Sequence, residues 1–129
     1  MDFDKLFRLQ KAIVRKISGA SKFAHTSPIF SELSIVKLAG INRLEMCKFI
    51  HHDIRFSNKF NFMSRNMIHN YETRFSTYLD LPNFRSKKSQ NSVFYLGLKY
   101  YNDLPSNIKC LDDINSFKLK LKYIVLSDQ

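Results

Sequence analysis

The sequence predicts a mainly α-helical fold: one small domain of about five helices, with a long aromatic loop and room for one short strand or hairpin. Three observations lead there. Apolar residues recur at intervals of three and four over most of the chain. Helix-capping chemistry stands at the ends of those stretches. With 129 residues, 44% of them hydrophobic and 25% charged, the chain has ordinary globular composition, enough for one core and little room for a second domain.

The elements follow in order. Phe3, Leu6, Leu9, Ile13 and Ile17 trace one stripe, so a helix is expected over 3–18 with these residues inward. Asp2 or Asp4 suits its positive N-terminus, and Gly19 suits the left-handed residue that ends a helix. Ser27-Pro28 reads as a cap followed by proline at the first helical position, opening a short helix through Leu33. A longer helix is expected over 36–55, with Leu38, Ile41, Leu44, Cys47, Ile50 and Ile54 in register. The first and third helices are then expected to pack through Leu9, Ile13, Ile17 and Leu38, Ile41, Leu44. Gly40 costs the third helix up to ~1 kcal/mol relative to alanine, which marks it as a point of close approach. Residues 56–91 form the loop region, with a short strand at Tyr78–Leu81; such length is uncommon in a loop without function. Ser92–Asn102 is expected as a helix with Val93, Leu96 and Tyr100 inward, ended by Leu104-Pro105. Segment 117–123 alternates as a strand would, yet Ile114, Phe117, Leu121, Ile124 and Val125 match helix spacing. Helix-forming Leu and Lys, and Asp112-Asp113 at the cap position, favour the helix.

Charge carries the functional signal. Twenty-one Lys and Arg against eleven Asp and Glu leave a net charge of +10, the footprint of a polyanion binder. The excess is concentrated. Arg8, Lys11, Arg15 and Lys22 lie in the first 30 residues, and Arg85, Lys87, Lys88 and Lys99 lie in 81–101, a stretch without an acid. Basic and aromatic residues also interleave at Arg74-Phe75, Phe84-Arg85 and Lys99-Tyr100-Tyr101, where cations neutralise phosphates and rings stack on bases. The nucleic-acid-binding residues expected are therefore Arg8, Lys11, Arg15, Lys22, Arg74, Arg85, Lys87, Lys88 and Lys99.

Other chemistry finds little support. Cys47 and His51 stand four apart on a helix, as two metal ligands can, but His25, His52, His69 and Cys110 complete no known ligand spacing; Cys47 reads as a buried thiol. Three glycines cannot build a phosphate-cradling loop, and no nucleophile motif is present. The expectation is no catalytic residue, no metal and no cofactor. No apolar run reaches membrane-spanning length, no leader-like segment opens the chain, and two cysteines make no disulfide framework. An intracellular chain, in nucleus or cytoplasm, without membrane or small-molecule partners is expected.

The ordered blocks carry a further signal. Leu9-Gln10-Lys11 through Ser18-Gly19-Ala20, then Ala24-His25-Thr26-Ser27-Pro28-Ile29-Phe30, resemble a segment just downstream of the polymerase palm in non-LTR (LINE-type, jockey/CR1-like) retrotransposon reverse transcriptases. Leu33–Leu38, His69–Arg74, Phe94–Pro105 and Ser116-Phe117-Lys118 with Leu121-Lys122 agree in the same order. Leu98 replaces the family's usual proline and Tyr101 its usual tryptophan. No aromatic-x-Asp-Asp motif is present; Cys110-Leu111-Asp112-Asp113 mimics it without the aromatic, so the polymerase carboxylates are missing. The resemblance implies the thumb and C-terminal region of such an enzyme. It implies a non-catalytic element that grips a template–product duplex of RNA and DNA without regard to base sequence, partnered by the fingers and palm where these exist. The competing readings are a helical protein-interaction domain with a basic face and a decayed fragment without function.

Overall fold

The first helix begins and ends where local chemistry places it. In the computed structural model, which describes residues 2–129, α1 spans Phe3–Ser18. The Asp2 carboxylate accepts the Asp4 N–H, and Gly19 takes the left-handed conformation at φ 70°. α2 (Ser27–Glu32) carries Pro28 in its first turn, with Thr26 as the capping residue, one position earlier than expected. α3 (Leu38–His52) runs directly into a π-helical turn, Asp53–Ser57, closed by Asn58 at φ 45°. Four short elements follow: α4 (Arg65–Ile68), α5 (Lys87–Gln90), a second π-helical turn (Val93–Gly97) and α6 (Leu98–Asn102). α7 (Ser106–Lys109) precedes α8 (Ile114–Asp128), which resolves the ambiguity of 117–123 in favour of helix. The fold is thus mainly α, with eight α-helices among the described residues in place of about five, because α4 and α5 punctuate the loop region and α7 follows Pro105. The strand expected at Tyr78–Leu81 is reduced to one antiparallel bridge, Ser64 with Leu79.

The chain packs as two compact units, residues 1–44 with 121–129, and residues 45–120. In the first unit Val14, Ile29 and Phe30 form a buried cluster, joined by Phe7, Ala20 and Ile35. This corrects the expected register of α1. Leu9, Ile13 and Ile17 are 56–63% exposed, and Ile41 is 40% exposed. The helix docks instead along the adjoining edge, where the Phe7 ring stacks 6.4 Å from that of Phe30.

Two glutamines hold the segment between α2 and α3. The Gln10 carboxamide donates to Val36 C=O (2.9 Å) and accepts from Leu38 N–H (3.0 Å). Gln129 donates to Ile35 C=O and accepts from Lys37 N–H, both at 2.9 Å. Extended backbone points alternate residues' polar groups to opposite sides, so each carboxamide serves as a one-residue neighbouring strand. At Gly40 a Cβ would lie 2.6 Å from Val125 Cγ1 and 2.7 Å from Val36 Cγ1, the close approach that the glycine signals.

In the second unit Cys47, Ile50, His51, Leu98, Tyr101, Leu104, Ile108 and Phe117 are buried. At Gly97 a Cβ would lie 2.9 Å from Ile50 Cδ1, so α3 and the second π-turn meet where glycine removes a side chain. Buried Asn102 repeats the glutamine device. It accepts from Leu79 N–H (2.8 Å) and donates to Leu79 C=O (3.1 Å), tying the loop region to α6 without a sheet. Asp113 caps α8 through the N–H groups of Asn115 and Ser116 and the Ser116 hydroxyl. The Ser116 hydroxyl bond, then the Asn115 N–H, hold its carboxyl below the usual range.

Candidate nucleic-acid interface

The nine cations nominated from the sequence divide between the units and differ in how far they are free. In the first unit Arg8 and Lys22 are exposed. Lys11 is half-buried, its Nζ 4.3 Å from the centroid of the Phe7 ring. Arg15 is half-buried too, and its Nε–H donates to Ala24 C=O at 2.9 Å. In the second unit Arg74, Arg85, Lys87, Lys88 and Lys99 are all exposed. Arg74 lies 5.9 Å over Phe75, and Lys99 Nζ lies 5.7 Å over Tyr95. The ion pairs of the described residues are Arg43–Asp128, Lys48–Glu45 and Arg55–Asp112. None of the nine takes part in them, so their charge is not spent on internal pairing.

Two nominated residues come together in the first unit. Arg15 and Lys22 line one groove of about 490 Å³ with Ala12, Lys16, Ala20 and Phe23. Three cations face it and no carboxylate lines it. The walls are α1 and the chain that turns back from its C-terminus. Ala24 N–H bonds to Ser21 C=O (3.1 Å), closing a tight turn over Ser21–Ala24, and Arg15 fastens that turn to α1. Arg15 therefore builds the groove while its remaining guanidinium N–H groups stay available to an anion. The turn presents Phe23 at 89% exposure, the highest of any large apolar residue described. Sequence reasoning passed over Lys16 and Phe23. The signal was there: Phe23 lies between the helices expected over 3–18 and 27–33, so neither apolar stripe claims it for a core.

The basic–aromatic pairs of the sequence fare unevenly as stacking surfaces. Tyr101 is buried, and Phe84 is half-buried with its ring 6.3 Å from Tyr95. Phe75 is 46% exposed but lies 5.1 Å from Tyr78. Phe49, Phe60 and Phe94 are each about two-fifths exposed, yet pack together with ring centroids 5.2–6.5 Å apart and cover one another.

His51, half of the Cys47–His51 pair, is committed to the interior. Its ring stacks on Phe117 at 3.7 Å and 3°. Nε2 lies 2.7 Å from Leu111 C=O and Nδ1 lies 3.1 Å from the Tyr101 hydroxyl. A carbonyl can only accept, so Nε2 carries the proton and Nδ1 accepts from Tyr101. Burial lowers the His51 pKa and pushes the Tyr101 hydroxyl up to about 12. Both ring nitrogens are occupied, and among the described residues no three His, Cys, Asp or Glu side chains converge on a point that could hold a metal. Asp112 and Asp113 are used by Arg55 and by the α8 cap. No helix of the described residues is long and apolar enough to cross a membrane.

No protein-family model matches this sequence, and comparison with curated proteins and with solved structures finds none similar to it.

Proposed function

We propose that the chain is a non-catalytic nucleic-acid-binding module that holds RNA or DNA by the phosphate backbone, with little regard for base sequence. The observation that carries this is the groove of Arg15, Lys16 and Lys22, a concave surface with three cations and no carboxylate. Phosphates neutralised by such cations release counterions, which supplies affinity without reading bases. The exposed Lys87 and Lys88 give the second unit a basic surface of its own. The five ordered blocks that resemble the post-palm region of non-LTR reverse transcriptases support the same reading, since there the role is to grip a template and not to polymerise. The nucleus or cytoplasm is where such a partner is met.

The test is binding of a fluorescent 20-base-pair duplex across salt concentrations. Affinity should fall steeply with salt, by about −0.9 in log–log slope per phosphate neutralised. Lys16→Glu with Lys22→Glu should flatten the slope by roughly two such steps, whereas Lys120→Glu with Lys122→Glu should do less. Equal losses from both pairs mean diffuse net charge and no defined site. No binding at ~50 mM salt removes the reading.

A second reading has its own observation. Leu9, Ile13 and Ile17 form an exposed apolar stripe on α1, as a helix does when it docks on a protein partner. A partner captured through that stripe would resist competition by duplex nucleic acid.

A further inference from the structure

We infer that the α1 groove takes an unpaired nucleotide, stacked on Phe23, with its flanking phosphates on Lys16, Lys22 and Arg15; the site is thus selective for single-stranded over duplex nucleic acid. The inference rests on the backbone-binding reading and goes beyond it by naming the ligand.

Four features of the groove support it. The Phe23 ring is 89% exposed and has no ring or cation contact among the described residues, so its face is open to a ligand. Phe49, Phe60 and Phe94, by contrast, spend their faces on each other. Leaving a phenyl ring in water is unfavourable by the cost of its apolar hydration, and a nucleobase is a flat π-surface that relieves it. Next, Phe23 is not on a loose tail. The Ser21–Ala24 turn closes on itself and is bonded to Arg15 Nε, so the ring-bearing residue is held beside the helix before any ligand arrives. Third, the cations stand in the same groove as the ring. A nucleotide carries its base and its phosphates side by side, and an apolar face next to three positive charges matches that pairing. Finally, the groove's volume of about 490 Å³ lies within the usual range for small-ligand sites, roughly 300–1,000 Å³. A duplex cannot use the ring, because its base faces are already stacked within the helix. It can use only the cations.

The experiment compares two fluorescein-labelled ligands at ~50 mM salt: a 20-residue oligothymidine strand and a blunt 20-base-pair duplex of mixed sequence. Oligothymidine should bind the tighter. Base–aromatic stacking of ~1–3 kcal/mol corresponds to about 5- to 150-fold in affinity, so Phe23→Ala should weaken the single strand by that factor. Duplex binding should change less than about twofold, since the phosphate contacts remain. Phe23→Trp should keep the single-strand affinity. A strand carrying one 5-iodouracil, which photocouples to rings stacked on it, should crosslink to Phe23. Because Phe23 is almost wholly exposed, its replacement leaves the helical circular dichroism intact, and that spectrum is the folding control.

Equal affinity for both ligands, with Phe23→Ala altering neither, overturns the stacking inference and leaves the backbone reading standing. Absence of binding to either ligand overturns both. Binding of the chain to vesicles of equal phosphatidylserine and phosphatidylcholine, lost in Phe23→Ala while oligothymidine binding is kept, assigns the ring to a lipid surface and overturns the inference.

Discussion

Gly40→Ala tests the packing of the first unit at its tightest point. An alanine Cβ there would stand 2.6 Å from Val125 Cγ1 and 2.7 Å from Val36 Cγ1, about 1 Å inside the ~3.5–4.0 Å at which carbon atoms attract. Neither valine can swing aside cheaply. Val125 is 2% exposed and Val36 is 9% exposed; a β-branched side chain has one strongly preferred χ1 in a helix, as at Val125, and a restricted χ1 elsewhere, as at Val36. Overpacking of this kind costs ~1–3 kcal/mol. The opposing effect is helix propensity, where alanine gains up to ~1 kcal/mol over glycine. With two clashes on stiff neighbours the first effect wins, and a net loss of about 1–2 kcal/mol is expected. Urea unfolding followed at 222 nm should show a lower midpoint with unchanged slope. Val125→Ala removes one of the clashing methyl groups, so the double variant should be less destabilised than the sum of the singles by about 1 kcal/mol. A neutral or stabilised Gly40→Ala, or strict additivity with Val125→Ala, would refute the close approach.

Three further outcomes follow from the same structure. Phe30→Ala, at a completely buried ring, should cost ~3–5 kcal/mol, whereas Ile13→Ala should cost less than ~0.5 kcal/mol; a reversed order in urea unfolding would restore the register read from the sequence. Asn102→Ala should cost ~1–3 kcal/mol by leaving the Leu79 N–H and C=O without their partner, and amide exchange at Leu79 should accelerate; an unchanged exchange rate would mean that the clip does not form. His51 has a folded-state pKa below its ordinary 6.5 because burial disfavours the charged ring. Its contribution to stability is then complete above pH 6.5 and declines as pH falls from 6.5 towards the lowered folded value. The melting temperature should drop over that interval, and a His51 ring that titrates at or above 6.5 by NMR would contradict the buried geometry.

The parts legible in the sequence are those decided by neighbours along the chain. Asp2 and Gly19 bound α1, Pro28 opens α2 and Asp113 caps α8, because capping needs only a donor or acceptor two or three residues away. The burial of Cys47, Ile50, Phe117, Leu121 and Val125 follows from period alone. The carboxamide clips were not legible. Gln10 lies 26 residues from Val36, Gln129 lies 92 from Lys37, and Asn102 lies 23 from Leu79, and nothing near any of them in sequence announces the pairing. The candidate site was half legible. Local charge pointed to Arg15 and Lys22, but only the turn that Arg15 fastens shows that they share a groove with Lys16 and Phe23.

The register of α1 shows why periodicity alone was insufficient. At 100° per residue, Leu9, Ile13, Leu6, Ile17, Phe3, Val14 and Phe7 occupy one continuous arc of about 160°. Such an arc is wider than one docking contact, so the apolar pattern specifies a side of the helix but not which edge of it is buried. The deciding residue is polar. Gln10 falls inside the arc, between Ile17 and Phe3, where the rule that polar residues face water would turn it outward. Its carboxamide instead meets Val36 and Leu38, so both of its groups are bonded and burying them carries no unpaired cost. That pair of bonds fixes the rotation of the helix, sending Phe7 and Val14 to the core and leaving Leu9, Ile13 and Ile17 outside. Replacing Gln10 by leucine preserves the apolar pattern while deleting the bonds that choose between its edges. The expected result is a helix of unchanged content whose Ile13 loses exposure, read as slower alkylation of a cysteine placed there. Unchanged alkylation would show that Phe7 and Val14 choose the edge without Gln10.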